Sequence, residues 1–68
     1  MELIINGEPR QVAPDCTAED LLRLLELEGK RLAMEVNLEI LPRSEYSSHR
    51  FRSGDRVEIV QAIGGGAV

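Results

Sequence analysis

Three consecutive glycines, Gly64-Gly65-Gly66, follow directly on the alternating apolar run Val57-Glu58-Ile59-Val60-Gln61-Ala62-Ile63, with Ala67 and Val68 after them. Glycine has no Cβ to restrict the backbone or to hold a neighbouring surface away. A strand that leads straight into such residues predicts a rigid body over residues 1–63 with a thin, flexible extension over residues 64–68, narrow enough to thread a channel. A free carboxylate on Gly66 would have no β-carbon to crowd an acyl phosphate. It could reach an ATP α-phosphate inside an enzyme that activates it. Glycine runs at termini are also common as frayed ends, so the chemical reading has to draw its weight from the rest of the chain.

The rest of the chain holds no catalytic constellation. His49 is the only histidine and Cys16 the only thiol, and they fall in different local elements, with nothing in the spacing to bring them together. His49, beside Ser47 and Ser48, reads as a solvated loop residue, and Cys16 as a small residue at the approach to a helix. Carboxylate pairs such as Glu19 with Asp20, or Glu26 with Glu28, read as a solvated helix face. No metal-ligand spacing, P-loop or dinucleotide fingerprint is present, and the glycine run precedes no helix, so it cannot cradle phosphate as those motifs do. By elimination, the chemistry lies in the end of the chain.

A chain of 68 residues is near the lower limit for a self-sufficient core. Hydrophobic residues make up 43%, with no Trp and single Tyr46 and Phe51, so the core should be aliphatic. One cysteine permits no internal disulfide, which suits a reducing cytosol. No signal peptide and no apolar run of membrane-spanning length is seen, and a soluble cytoplasmic protein is expected. Twelve acidic against eight basic residues give a net charge of −4, which argues against nucleic acid as a partner and in favour of proteins.

Several elements must position the tail. Leu3-Ile4-Ile5 and Arg10-Gln11-Val12-Ala13 flank Asn6-Gly7, a dipeptide suited to a type I′ hairpin turn, and Pro9 places the second strand at a sheet edge. Thr17 with Asp20 resembles a capping box. Leu21, Leu22 and Leu25 form an amphipathic stripe that Leu24 widens, and Gly29 should end the helix. Leu32, Met34 and Val36 alternate as a half-buried strand. A short edge strand over Glu39-Ile40-Leu41 should stop at Pro42, with Ser44 capping a single turn, and the turn Ser53-Gly54-Asp55 leads into the final strand, Val57 to Ile63. The order predicts an α+β roll, one helix across a mixed, mostly antiparallel sheet of four to five strands. If Val57, Ile59 and Ile63 face the helix, then Val60 and Ala62 face outward beside the tail, where they could form a docking patch.

Together, Ile5-Asn6-Gly7-Glu8, the capped leucine helix, Val36-Asn37-Leu38-Glu39-Ile40-Leu41-Pro42-Arg43, Gly54-Asp55-Arg56-Val57-Glu58 and Gln61-Ala62-Ile63-Gly64-Gly65-Gly66 resemble the ThiS family, the small ubiquitin-like β-grasp sulfur carriers of thiamine thiazole biosynthesis. The resemblance covers nearly the whole chain. Its most discriminating parts are the Asn-x-Glu-x-x-Pro-Arg segment and the Ile-Gly-Gly-Gly ending. It implies a carrier and not an enzyme. A ThiF-type adenylyltransferase would activate the Gly66 carboxylate with ATP and Mg²⁺, a sulfur donor protein would convert the adenylate to a thiocarboxylate, and a ThiG-type thiazole synthase would receive the sulfur. No cofactor bound to the chain itself is implied.

Members of the family ready for activation end on glycine, whereas Ala67 and Val68 follow Gly66 here. Proteolytic trimming, an added remnant or a copy not competent as encoded would each account for the dipeptide. The rival readings are a small subunit of molybdopterin synthase, a ubiquitin-like modifier or another sulfur-metabolite carrier, and a TGS-like RNA-associated module. The first lacks the Asn37 to Arg43 segment and the last needs no glycine tail.

Overall fold

In the computed structural model, which describes residues 1–61, Asn6 and Gly7 take φ of 50° and 85°, the left-handed pair that a tight hairpin turn requires. They join β1 (Glu2–Ile5) to β2 (Glu8–Gln11). The second strand begins and ends two residues earlier than Arg10 to Ala13, because the two-residue turn sets the register and pairs Ile5 with Glu8. Val12 still continues the pairing with an N–H bond to the Met1 carbonyl, 2.8 Å. β2 lies at the sheet edge, where Pro9 removes no ladder hydrogen bond that the fold needs. Ala62, Ile63, the three terminal glycines, Ala67 and Val68 lie outside the described residues.

The one α-helix among the described residues, α1 (Ala18–Leu24), begins with the expected capping box. The Asp20 N–H donates to Thr17 Oγ1 at 3.1 Å, and the Thr17 N–H donates to Asp20 Oδ2 at 3.2 Å. The Thr17 backbone N–H, and then its side chain, hold the Asp20 carboxyl below its ordinary value. Since the folded value is depressed, this contribution is present above the unfolded carboxylate range and is lost as pH falls through the folded one. Thr17→Ala is expected to lower stability by about 1 kcal/mol, read as a lower urea midpoint at unchanged slope.

The helix stops earlier than Gly29. Glu26 takes φ 60°, its N–H bonds the Arg23 carbonyl at 3.1 Å, and the Leu27 N–H bonds the Leu22 carbonyl at 2.8 Å. These are the two bonds of a Schellman motif, closed with a glutamate where glycine is usual. Leu27 packs against the core, and this apolar anchor outweighs the cost of a left-handed glutamate. Gly29, at φ 79°, serves the following loop instead. Leu21 and Leu22 are buried and Leu25 partly so, whereas Leu24 is 48% exposed and does not widen the stripe. Glu19, Asp20 and Glu28 surround Arg23 at 3.7, 3.2 and 2.9 Å, so these acids are paired and not merely solvated; at full exposure such pairs contribute little.

The chain then forms β3 (Leu32–Val36), β4 (Glu39–Leu41) and β5 (Arg56–Gln61). Asn37 and Leu38, at φ 51° and 72°, make the tight turn between β3 and β4. A 3-10 turn over Arg43–Glu45 follows Pro42 and has no side-chain cap, so Ser44 lies inside it and caps nothing. Gly54, at φ 87°, makes the last turn as expected.

The sheet order is β2-β1-β5-β3-β4, with β1 and β5 parallel and every other pairing antiparallel. Hairpins joined by short turns pair antiparallel with their neighbours, and the helical crossover between β2 and β3 leaves the centre open for the last strand. Leu3, Leu21, Met34 and Val57 are fully buried at the heart of the core. Both aromatics join them: Tyr46 and Phe51 are buried alongside the aliphatic residues. This is the β-grasp arrangement of a five-stranded mixed sheet and one helix.

Candidate functional site

β5 is the strand that leads to the glycines, and the fold gives it the central place. Its inward residues Val57 and Ile59 are buried, and Val60, facing the other way, is 64% exposed. Alternation along a strand one face of which is covered by the helix accounts for the difference. Val60 pairs with the exposed Ala33 of β3. On the same uncovered face Ile40 is 64% exposed opposite Glu35, and Leu38, in the adjoining turn, is 85% exposed. Glu35 in turn lies directly opposite Glu58. Two like charges in register disfavour the pairing, so this face combines exposed apolar side chains with two opposed carboxylates, and exposed Arg56 shares it two residues before Glu58.

Two asparagine bridges hold β5, one from its β1 side and one from its β3 side. The pairing of β1 with β5 ends at Ile5 and Val57. Beyond it the Asn6 N–H donates to the Val57 carbonyl at 2.8 Å. Asn6 Oδ1 then accepts from the Ile59 N–H at 2.8 Å, and Asn6 Nδ2 donates to the Ile59 carbonyl at 3.2 Å. At the start of β5, Asn37 makes a related bridge from the β3 side. Its N–H donates to the Arg56 carbonyl at 2.8 Å, its Oδ1 accepts from the Arg56 N–H at 3.0 Å, and its Nδ2 donates to Asp55 Oδ1 at 3.0 Å. Sequence reading found both asparagines as parts of turns or of a motif but missed their side chains' reach across the sheet, since the partner in one case lies 53 residues away. An open groove of about 600 Å³ adjoins the Asn6 bridge, lined by Ile5, Asn6, Leu25, Leu27, Ile59 and Gln61 among others.

The remaining candidates for chemistry do not assemble. Cys16 is buried and its thiol donates to the Thr17 carbonyl at 3.3 Å. Burial pushes the thiol pKa up, and the Asp20 and Asp15 carboxylates add to the effect. It is held as a protonated core residue, the opposite of an activated nucleophile. His49 is not the solvated loop residue its serine neighbours suggested. Its ring stands edge-on to Phe51 at 5.1 Å, and Nε2 is buried without a partner. The cause is the fold: the His49 carbonyl accepts from the Ala18 N–H at 3.0 Å, and Arg50 bridges to Thr17, which draws this loop onto the helix start. Among the described residues no group of His, Cys, Asp or Glu is placed to hold a metal ion, and no helix is long and apolar enough to cross a membrane.

Of the expected site residues, only Val60 is described, and it is exposed as expected. Gly64, Gly65, Gly66 and Ala62 lie outside the described residues.

Comparison with known proteins gives a consistent result. The ThiS family profile matches residues 3–66. A thiazole synthase of Paramagnetospirillum magneticum is 45% identical over 67 residues, which are 98% of this chain and 21% of that protein. A thiazole synthase of Magnetococcus marinus matches in the same way, with 20% of its length covered. The chain thus spans about a fifth of these larger relatives. The sulfur carrier protein ThiS of Escherichia coli is 30% identical over 66 residues, covering 97% of this chain and all of that protein. The crystal structure of a thiamine biosynthesis protein (ThiS) from Geobacter metallireducens superposes with a TM-score of 0.83 at 32% identity, over 97% of this chain and 100% of that one. With a central strand that carries the glycine-rich end, a family match that runs through Gly66 and a matching β-grasp fold, the chain belongs to the ThiS family.

Proposed function

We propose that the chain is a sulfur carrier of thiamine thiazole formation, working as a protein cosubstrate and not as a catalyst. The observation that carries this reading is that the family match runs through the glycines and stops at Gly66. Hydrolysis of the Gly66–Ala67 peptide bond, with loss of Ala67 and Val68, first frees the Gly66 carboxylate, and a ThiF-type adenylyltransferase then takes it together with ATP and Mg²⁺. A carboxylate oxygen bonds to the α-phosphorus and pyrophosphate leaves. A sulfur donor protein then supplies sulfur to the carbonyl carbon of the acyl adenylate and AMP leaves, so that one carboxylate oxygen is exchanged for sulfur. The thiocarboxylate is the form from which a ThiG-type thiazole synthase takes sulfur. Two relatives in which a stretch similar to this chain forms about a fifth of a thiazole synthase support that choice of acceptor. Gly64 and Gly65 serve the threading of the end into each partner, because they lack side chains that would fill a narrow channel. ATP and Mg²⁺ belong to the activating enzyme.

The uncovered sheet face is the surface through which the carrier docks, since it is apolar at Val60 and Ile40 and lies on the strand that leads to Gly66. Val60→Asp tests this. It adds a carboxylate to a face that already opposes Glu35 and Glu58, and it places a charge where an apolar partner surface must exclude water. Affinity for the adenylyltransferase or the synthase, measured by calorimetry, is expected to fall at least tenfold while the unfolding midpoint stays within the range of ordinary surface substitutions. Unaltered affinity for both partners would remove Val60, and with it Ala62, from the docking surface.

Co-purification separates this reading from its nearest rival. A thiazole synthase recovered with the tagged chain supports the thiazole assignment, and a large molybdopterin-synthase subunit in its place would overturn it.

A further inference from the structure

We infer that Asn6 is a positioning residue for the reactive end, acting as a side-chain substitute for the missing stretch of β1. The inference rests on the carrier reading. β5 continues for four residues after its last partner on the β1 side, from Val57 to Gln61. Its other side is paired along this stretch, as far as Leu32 with Gln61. The chain leaves the sheet at the Asn6-Gly7 turn, and a strand paired on one side only can swing about that ladder. Asn6 closes the gap. Its amide presents an acceptor and a donor, and both are used, 2.8 Å to the Ile59 N–H and 3.2 Å to the Ile59 carbonyl. A primary amide is isosteric with a peptide group, so one side chain supplies a complete rung of ladder.

The left-handed backbone of Asn6, φ 50°, is what turns the amide back toward β5. Asparagine tolerates that conformation better than other side chains with the same reach. The bridge therefore fixes the direction of β5 two residues before Gln61. Gly66 lies seven positions after Ile59, about 23 Å away when a partner draws the chain out fully. In that drawn-out state a swing of the strand at Ile59 carries through to Gly66, which the activating enzyme must otherwise correct at each encounter. Holding the root in advance reduces the ordering that binding must impose.

Asn37 supplies the control. Its Oδ1 likewise accepts a backbone N–H of the same strand, but at Arg56, the end remote from the glycines, and its Nδ2 goes to the Asp55 carboxylate. Both residues have positive φ, so Asn6→Gly and Asn37→Gly remove the amide without straining the turn. With chains ending at Gly66, the KM of the adenylyltransferase for the carrier is expected to rise about tenfold for Asn6→Gly at nearly unchanged kcat. Asn37→Gly is expected to lower the melting temperature comparably and to leave KM within twofold. Asn6→Asp keeps an acceptor for the Ile59 N–H and loses the donor to the Ile59 carbonyl, and should fall between wild type and glycine. Amide hydrogen exchange, which needs no partner, should accelerate at Ile59 in Asn6→Gly. Equal KM shifts from the two glycine variants, or unaccelerated exchange at Ile59, would overturn the role of Asn6 while leaving the carrier reading intact. If the wild-type chain ending at Gly66 is never adenylated, the carrier reading fails first and the positioning role goes with it.

Discussion

A chain ending at Gly66, given ATP, Mg²⁺, a ThiF-type adenylyltransferase and a sulfur source, is expected to gain the mass of one oxygen-to-sulfur exchange, and the 68-residue form is expected to gain nothing. The reason is covalent. Adenylation needs a free carboxylate, and in the longer chain the Gly66 carbonyl is tied in a peptide bond to Ala67. The carboxylate available there belongs to Val68, whose two β-substituents would stand against a channel shaped for glycine. The effect is close to all or none, and intact mass spectrometry reads it directly. Intact mass of the protein isolated from its own cells would report trimming and loading together. Equal loading of the longer form with its last two residues in place, or a Gly66-terminated chain that is never adenylated, would overturn the assignment of Gly66.

The second large effect concerns the helix. Leu21 is fully buried, in one cluster with Leu3, Met34 and Val57. Leu21→Ala is expected to cost about 2 to 5 kcal/mol, the range for deleting a buried leucine in a core that relaxes only partly. That is a large fraction of the roughly 5 to 15 kcal/mol available to an ordinary domain. Leu22→Ala, one position on, should fall in the same range because Leu22 is also buried. Leu24→Ala should change stability by only about 0.5 kcal/mol, as exposed positions do. Urea unfolding midpoints of the three variants measure the phase of the helix. A loss at Leu24 equal to that at Leu21 would show that the buried stripe had been wrongly placed.

Much of the fold was legible in local patterns. Asn6-Gly7 announced its hairpin, because only a few residue pairs accept two consecutive left-handed conformations. Pro9 announced an edge strand, and Thr17 with Asp20 announced the start of the helix. Each is a local signal whose physics involves neighbours within a few residues. Misreadings arose where a distant contact overrode local preference. Glycine is the usual helix terminator, yet the helix closes at Glu26, where the half-buried Leu27 packs against the core and offsets the strain of a left-handed glutamate. Leu24 has the residue type of a core position and lies on the solvent side, since composition does not report the angular width of the buried stripe. Ser44 has the residue type of a cap, but Pro42 had already set the turn.

The glycine run at residues 64–66 stood out along the chain, but Gly66 carries a free carboxylate only once Ala67 and Val68 are gone. The sequence by itself thus determined the strand alternation that turns Val60 outward, the capped helix and the hairpin, and the resemblance to the family supplied Gly66 as the residue proposed to carry sulfur. Tertiary structure alone decided which strands became neighbours. It placed β5 at the centre between β1 and β3, set Glu35 against Glu58, and brought His49 and Phe51 together under the helix start. It also brought Asn6 and Asn37 to opposite ends of β5. Hydrogen bonds that span 53 residues are formed by the folded topology, and no period or spacing along the chain encodes which backbone groups a strand leaves unpaired.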